Sequence, residues 1–300
     1  MSLKHESFLV GLIGEGITAS LTPPMHEKEA THHGLRYLYR SIDLTALELD
    51  AASLPALLDS AELLGFNAFN ITHPCKQTVM EHLDKVSPEA AALGAVNSVV
   101  LREDGTRFGD NTDYSGFLTG MAWGLPHITA NSGRLDTVIQ LGTGGAGSAT
   151  AYALLKAGTR VLHLVDPDVH RARDKAADLQ ALFPNASVQA AGVMDVAGLL
   201  PQATGLVNAS PVGMHIHPGA PLDLSLVHAG LWVADVIYLP QETPLIAHAR
   251  KVGCDVLPGG YMAVGQAVDA LRLFAGIEPD AARMRAHFES LIANRDETAL

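Results

Sequence analysis

Gly142, Thr143, Gly144, Gly145, Ala146 and Gly147 form a G-x-G-x-x-G run on Gly142, Gly144 and Gly147, residues whose spacing suits phosphate chemistry. In a dinucleotide-binding turn the first glycine permits the tight bend and the second lets the backbone approach a pyrophosphate. The third lets the following helix pack close to its strand. The phosphates then rest on unpaired N–H groups at the helix's positive end. Asp166 stands nineteen residues beyond Gly147, at the end of the apolar run Val161 to Val165. An acceptor for a ribose 2′-hydroxyl belongs there. A carboxylate at that place repels a 2′-phosphate, so NAD is expected rather than NADP. Arg171 and Arg173 keep NADP open as an alternative, although both read more simply as solvated faces of the next helix.

Three further sets of residues invite a chemical reading beside a structural one. Pro74 opens a turn that leaves Lys76 at the start of a helix expected over residues 77–82, where the helix dipole disfavours a cation. A lysine so placed either reaches for a ligand or is simply solvated. Ser20 and Thr22 point the same way if their loop is extended, and otherwise serve turn or cap chemistry. Asp113 stands where it can cap the apolar helix that follows it.

The elements that must position these groups alternate along the chain. Strands are expected at residues 8–13, 35–44, 66–72 and 98–102, the last returning through the Asp104-Gly105 turn to 106–108. Helices are expected at 54–64 and 90–93 and from about Met25. Val138 to Leu141 feeds the glycine turn, a helix follows from near Ser148, and another covers 170–182. Short strands at 205–208, 231–237 and 255–257 complete a parallel, doubly wound sheet. Ligands bind such sheets at the carboxyl ends of the strands, which singles out the loops Asn208 to Met214 and Asp235 to Pro240. Gly259 to Met262 breaks the pattern before helices at 263–274 and 280–293, with a polar tail from Asn294.

Composition narrows the function classes. At 300 residues, 48% hydrophobic and 17% charged, the chain is a well-buried globular protein of two expected domains. A net charge of −12 opposes nucleic acid or an anionic membrane as partner. Cys75 and Cys254 form no C-x-x-C pattern, so neither a disulfide framework nor a zinc site is expected. His32-His33 and His215-Ile216-His217 lack a third ligand at helical spacing and read as surface histidines, not as a metal centre. Residues 1–7 lack the apolar core of a signal peptide, and no apolar run approaches membrane-spanning length, so a cytoplasmic protein is expected.

Several segments match one family in order and spacing: Gly11 to Gly14 before Ser20-Leu21-Thr22-Pro23, Asn70-Ile71-Thr72-His73-Pro74-Cys75-Lys76, Gly94 to Asn97, and Asn111-Thr112-Asp113. The glycine turn, Asn208 to Met214, Asp235 to Tyr238 and Gly260 to Gln266 follow. Across about residues 8–275 the chain resembles the shikimate dehydrogenase family, and its quinate/shikimate dehydrogenase branch in particular. The resemblance implies an α/β substrate-binding domain of residues 1–113 and 262–300, enclosing a Rossmann-type NAD-binding domain of residues 114–261. It implies that Lys76 and Asp113 are catalytic, that Ser20 and Thr22 hold a substrate carboxylate, and that Asn70, Thr72 and Asn97 contact ring hydroxyls. Tyr238 and Gln266 close the site. Asn208, Gly213, Met214 and Gly260 join Gly142, Gly144, Gly145, Ala146, Gly147 and Asp166 on the cofactor side.

Two departures bear on specificity. Asp166-Pro167-Asp168 stands where many NADP-using members carry Asn-Arg-Thr. Thr22 replaces the second serine of members devoted to shikimate. The implied activity is reversible oxidation of the ring C3 hydroxyl of quinate or shikimate with NAD, and a homo-oligomer is compatible with it. The alternatives are an NADP-dependent biosynthetic shikimate dehydrogenase and a ligand sensor that keeps the fold without turnover.

Overall fold

The computed structural model describes residues 7–298, so residues 1–6, which carry most of the segment read as lacking a signal peptide, lie outside the described residues. Contacts divide the chain into two compact units: residues up to Thr112 with those from Gln266 onward, and Asp113–Gly265.

In the first unit, β1 (Ser7–Gly14), α1 (Thr22–His32), β2 (Arg36–Asp43), α2 (Leu54–Leu63) and β3 (Ala68–Ile71) precede β4 (Lys85–Val86), α3 (Pro88–Leu93), β5 (Ser98–Leu101) and β6 (Arg107–Asp110). The sheet order is β2-β1-β3-β5-β6-β4. β1 runs parallel to β2 and β3, whereas β5 is antiparallel to β3 and β6. β1 is interior and buried from Val10 to Gly14, while edge strand β2 alternates, with Tyr37 and Tyr39 buried and Leu38 exposed. Leu54, Leu58 and Ala61 put one face of α2 onto Ile13, Phe69 and Ile71.

The chain passes through α4 (Thr112–Gly124) and α5 (Pro126–Thr129) into β7 (Thr137–Leu141), α6 (Gly145–Lys156), β8 (Val161–Val165), α7 (Val169–Leu182) and β9 (Ser187–Ala191). It then adds α8 (Val196–Leu199), β10 (Gly205–Asn208), β11 (Trp232–Asp235), α9 (Pro244–Lys251), β12 (Asp255–Leu257), α10 (Gly260–Ala275) and α11 (Ala281–Thr298). The second sheet is parallel throughout, in the order β12-β11-β10-β7-β8-β9. The strands step outward from β7 on one side and resume beside it at β10, which makes a topological switch point of the kind that receives ligands. No helix among the described residues is long and apolar enough to cross a membrane.

Several local expectations are corrected. α6 begins at Gly145, three residues before Ser148, and α10 begins at Gly260, so the Gly-Gly pair opens a helix where a break was expected. A Cβ at Gly259 would collide with the Ile237 carbonyl, and close packing is the reason for that glycine. α1 starts at Thr22 with prolines in its first turn, where their missing N–H costs nothing. Residues 78–82 form a short 3-10 turn in place of an α-helix, and α11 continues into the segment read as a polar tail. Strands β4 and β9 were not anticipated.

Candidate active site

The glycine turn of the second unit fulfils each steric demand of its motif. Gly142 has φ +94°, a conformation costly for any residue with a Cβ, and a Cβ there would come 2.7 Å from the Ala209 carbonyl oxygen. A Cβ at Gly147 would strike the Gly142 carbonyl, whereas Gly144 and Gly145 have open space in front of them. Gly144 is the N-cap of α6 and offers no side chain to the first turn, so the helix presents backbone N–H groups there. Gln140, which sequence reasoning missed, staples the turn from beneath. Fully buried, it donates Nε2 to the carbonyls of Gly142 (2.9 Å) and Gly147 (2.7 Å) and accepts from Thr150 Oγ1 at 2.8 Å.

Asp166 at the tip of β8 is more enclosed than its strand-end position suggests. Its side chain is 1% exposed. Oδ2 accepts from Thr143 N at 2.9 Å and Thr143 Oγ1 at 2.7 Å, tying the strand to the glycine turn. Oδ1 accepts from Asp168 N at 3.0 Å and from Arg171 Nη2 at 2.5 Å. Burial pushes this carboxyl up, but Arg171, Thr143 and the backbone N–H donors together hold it below its ordinary value, so it is ionised at neutral pH. Two expectations change. Arg171 is the ion-pair partner of Asp166 and not a merely solvated residue, and direct acceptance of ribose hydroxyls by Asp166 requires Arg171 to move aside. Asp168 caps α7 through the N–H groups of His170 and Arg171.

At the ends of β10 and β11 two loops enclose an apolar cavity of about 350 Å³, lined by Ala146, Pro211, Met214, Ile237, Tyr238 and neighbouring residues. Asn208, expected to touch the cofactor, is fully buried and spends its amide within the protein. Nδ2 donates to Val212 O and Asp235 Oδ1, both at 3.1 Å, and Oδ1 accepts from Ser210 N and Oγ. It braces the loop. Gly213 has φ +120°, Met214 borders the cavity, and Gly260 is the first residue of α10.

In the first unit the carboxyl ends of β1 and β3 lie side by side. Thr72 N donates to Ile13 O, Glu15 N donates to His73 O, and Val96 N donates to Lys76 O at 2.8 Å. This gathers the loop after β1, Thr72, Lys76 and Asn97 at one end of the sheet. Asp43 shapes the β1 loop by accepting from Gly16 N, Thr18 N and Thr18 Oγ1 at 2.7–3.0 Å, and those bonds pull its carboxyl down to about 2. Ser20 and Thr22 are not in extended backbone. Ser20 follows a turn onto Ile17 O, and its Oγ accepts from Thr22 N at 3.3 Å as Thr22 opens α1. Lys76 precedes a turn only five residues long, so the helix-dipole argument for its placement loses most of its force.

Asn70 and Asn97 belong to one buried network. Asn70 accepts from Tyr39 OH and donates to Asn97 O and Ser98 Oγ, which engages both of its amide N–H groups. It is 5% exposed and braces the site from behind, where a ligand contact was expected. Asn97 Oδ1 accepts from Thr112 N at 2.7 Å, and Asn97 Nδ2 donates to Thr112 Oγ1. Asn97 thereby fixes the residue that begins α4, and Asp113 is in the first turn of that helix, past the capping position. Gln266 lies half-buried on α10. Among the described residues no group of His, Cys, Asp and Glu is arranged to hold a metal ion.

Residues 12–99 match the family model of the shikimate dehydrogenase substrate binding domain. The chain is 56% identical over 299 residues, all of both chains, to shikimate dehydrogenase (NADP(+)) of Arthrobacter sp. strain FB24. It is 46% identical over 289 residues to quinate/shikimate dehydrogenase (NAD(+)) of Corynebacterium efficiens, covering 96% of this chain and 100% of the relative. The solved structure of quinate dehydrogenase from Corynebacterium glutamicum in complex with NAD superposes with TM-score 0.89 at 46% identity, covering 95% of this chain and 99% of that one. On this sustained identity, and on the glycine turn and the strand-end loops that carry the motifs, the chain belongs to the shikimate dehydrogenase family.

Proposed function

We propose that this protein is an NAD-dependent oxidoreductase that reversibly oxidises the ring C3 hydroxyl of quinate and shikimate. The observation that carries the cofactor reading is the ionised Asp166 carboxylate at the tip of β8, paired with Arg171. A 2′-phosphate brought there must compete with the Asp166 carboxylate for the Arg171 guanidinium that already pairs with it. The residues fit a dinucleotide: the N–H groups at the start of α6 and the open faces of Gly144 and Gly145 suit a pyrophosphate, and the apolar cavity suits an aromatic ring. When bound, the nicotinamide ring supplies the hydride acceptor. The alcohol proton must leave as the hydride departs, and Lys76 with Asp113 forms the acid–base pair that takes it. Ser20 and Thr22 hold the substrate carboxylate, and Thr72, Asn97, Tyr238 and Gln266 bind ring hydroxyls. Asn70 acts by holding Tyr39 and the Asn97 segment in place.

The second reading is an NADP-dependent shikimate dehydrogenase, favoured by the name of the 56% identical Arthrobacter relative. Initial rates for quinate and shikimate, each with NAD and with NADP, separate the two. A higher kcat/KM with NAD for both substrates supports the proposal, and a higher kcat/KM with NADP overturns its cofactor assignment. Absence of turnover in all four combinations, with ligand binding retained, would identify a sensor.

A further inference from the structure

Asp235 ends β11 and is 2% exposed. Its partners come from three places. Asn208 Nδ2 reaches Oδ1 from β10 at 3.1 Å, the Ile237 N–H reaches Oδ1 from the following loop at 3.0 Å, and Thr243 Oγ1 donates to Oδ2 at 2.8 Å from the N-cap of α9. Asn208 in turn holds Val212 and Ser210. A single carboxylate therefore joins residues 208–212 to residues 236–243, and these two loops form most of the wall of the 350 Å³ cavity.

The fold says what occupies that cavity if the dinucleotide reading holds. Asp166 at the tip of β8 would hold the adenosine half and the N–H groups at the start of α6 the pyrophosphate, which would leave the loops after β10 and β11 to hold the other half. We propose that Asp235 is a positioning residue for this second half: by fastening both loops while ionised, it sets the shape of the nicotinamide cavity without touching the cofactor. The inference rests on the dinucleotide function proposed above.

All three partners of Asp235 are donors, so the arrangement is made for a carboxylate. A proton on Asp235 removes one of its acceptor sites: the Thr243 hydroxyl must reverse and take the proton on an oxygen that already accepts from Ile246 N at 3.3 Å, while Asn208 Oδ1 already accepts from Ser210 N and Oγ. Protonation therefore loosens one of the loops. Among the described residues no charged side chain is a partner of Asp235: Glu242 and Arg250 pair with each other at the surface at 2.7 Å, and Asp255 pairs with Arg134 and His127 at the start of β12, beside the opposite end of β11. Burial pushes Asp235 up to about 6 despite the three donors, which brings the loosening within reach of ordinary assay pH.

The test compares NADH, which fills the cavity, with ADP-ribose, which lacks the nicotinamide, by fluorescence titration and competition from pH 5 to 8. The wild-type protein should lose about three- to tenfold in NADH affinity on acidification, the weight of one hydrogen bond, with a midpoint near 6 and little change for ADP-ribose. Asp235→Asn should bind NADH weakly at every pH and ADP-ribose normally. Thr243→Val should weaken NADH binding in the same selective way, and Thr243→Ser should restore it. Wild-type NADH affinity and pH profile in Asp235→Asn would overturn the proposal, as would equal loss of both ligands. Should Asp235→Asn fail to melt cooperatively, the wild-type profile and the Thr243 variants decide in its place. A wild-type protein that binds neither NADH nor NADPH would refute the dinucleotide reading itself, and this inference with it.

Discussion

Asp166→Asn tests the cofactor assignment most directly, because it removes a charge while keeping an acceptor oxygen. In the wild-type protein a 2′-phosphate must draw the Arg171 guanidinium away from the carboxylate, and two unit charges of like sign within about 5 Å then repel by about 3 kcal/mol at an effective dielectric of about 20 and about 0.8 kcal/mol in water. The site is intermediate: the Asp166 side chain is 1% exposed and that of Arg171 is 55% exposed. A working value of about 2 kcal/mol corresponds to roughly 30-fold in relative affinity. Neutralising Asp166 also frees the Arg171 guanidinium to meet the phosphate. The ratio of kcat/KM for NADP to that for NAD, measured with shikimate near neutral pH, should rise by at least about tenfold. Arg171→Ala in the Asp166→Asn background should then take back much of the NADP gain. The substitution also turns an amide toward Thr143 or Arg171, which costs about 1–3 kcal/mol of stability, so a modest drop in Tm is expected. A folded Asp166→Asn variant whose cofactor ratio moves by less than about threefold would refute the electrostatic argument.

Lys76→Met should lower kcat by about 10²–10⁴-fold with NADH affinity nearly intact, measured by steady-state rates beside a fluorescence titration; near-normal kcat would remove Lys76 from the acid–base pair. Thr22→Ser should move the kcat/KM ratio toward shikimate by about two- to twelvefold, because serine frees the hydroxyl direction that the β-branch restricts, and an unchanged ratio would place discrimination elsewhere. Gln140→Leu should strip the Gly142 carbonyl of its buried side-chain donor and leave the Thr150 hydroxyl to the Ala146 and Gly147 carbonyls alone, costing about 1–3 kcal/mol by urea denaturation. An unchanged midpoint would show that the turn does not depend on the staple. Burial of the charge outweighs its three donors, so in the folded protein Asp235 holds its proton up to about pH 6, against 3.8 when unfolded; protonation gives up a loop hydrogen bond but relieves the larger burial cost, and the contribution to global stability is complete below about pH 4 and lost as pH rises through 6. That difference corresponds to about 3 kcal/mol, and Asp235→Asn should flatten the Tm profile over this window. Asp43 has the opposite sign, stabilising above about pH 4 and losing its contribution as pH falls toward 2.

The parts of this protein legible in the sequence are those with local causes. Gly142, Gly144 and Gly147 are a backbone requirement written at fixed spacing, and the apolar runs of β1, β7 and β8 announce interior parallel strands because both faces must be buried. β9, with the sequence Ser-Val-Gln-Ala-Ala, carries little apolar signal, since an edge strand takes its place from the ladder offered by β8. Gly259 and Gly260 read as a break on propensity alone, and only the Ile237 carbonyl above Gly259 explains the first of them. The site divides in the same way. Residue types and spacing singled out Lys76, Asp166 and the strand-end loops, whereas Asp113 read as a helix cap until the family resemblance gave it a catalytic role. Which polar groups spend their hydrogen bonds within the protein was decided by partners mostly distant in sequence: Tyr39 for Asn70, Thr112 for Asn97, Asp235 for Asn208, and the Gly142–Gly147 turn for Gln140. Such pairings depend on strand register and burial. A buried amide or carboxylate must find its complement wherever the fold brings one, and the sequence pattern carries no record of that neighbour.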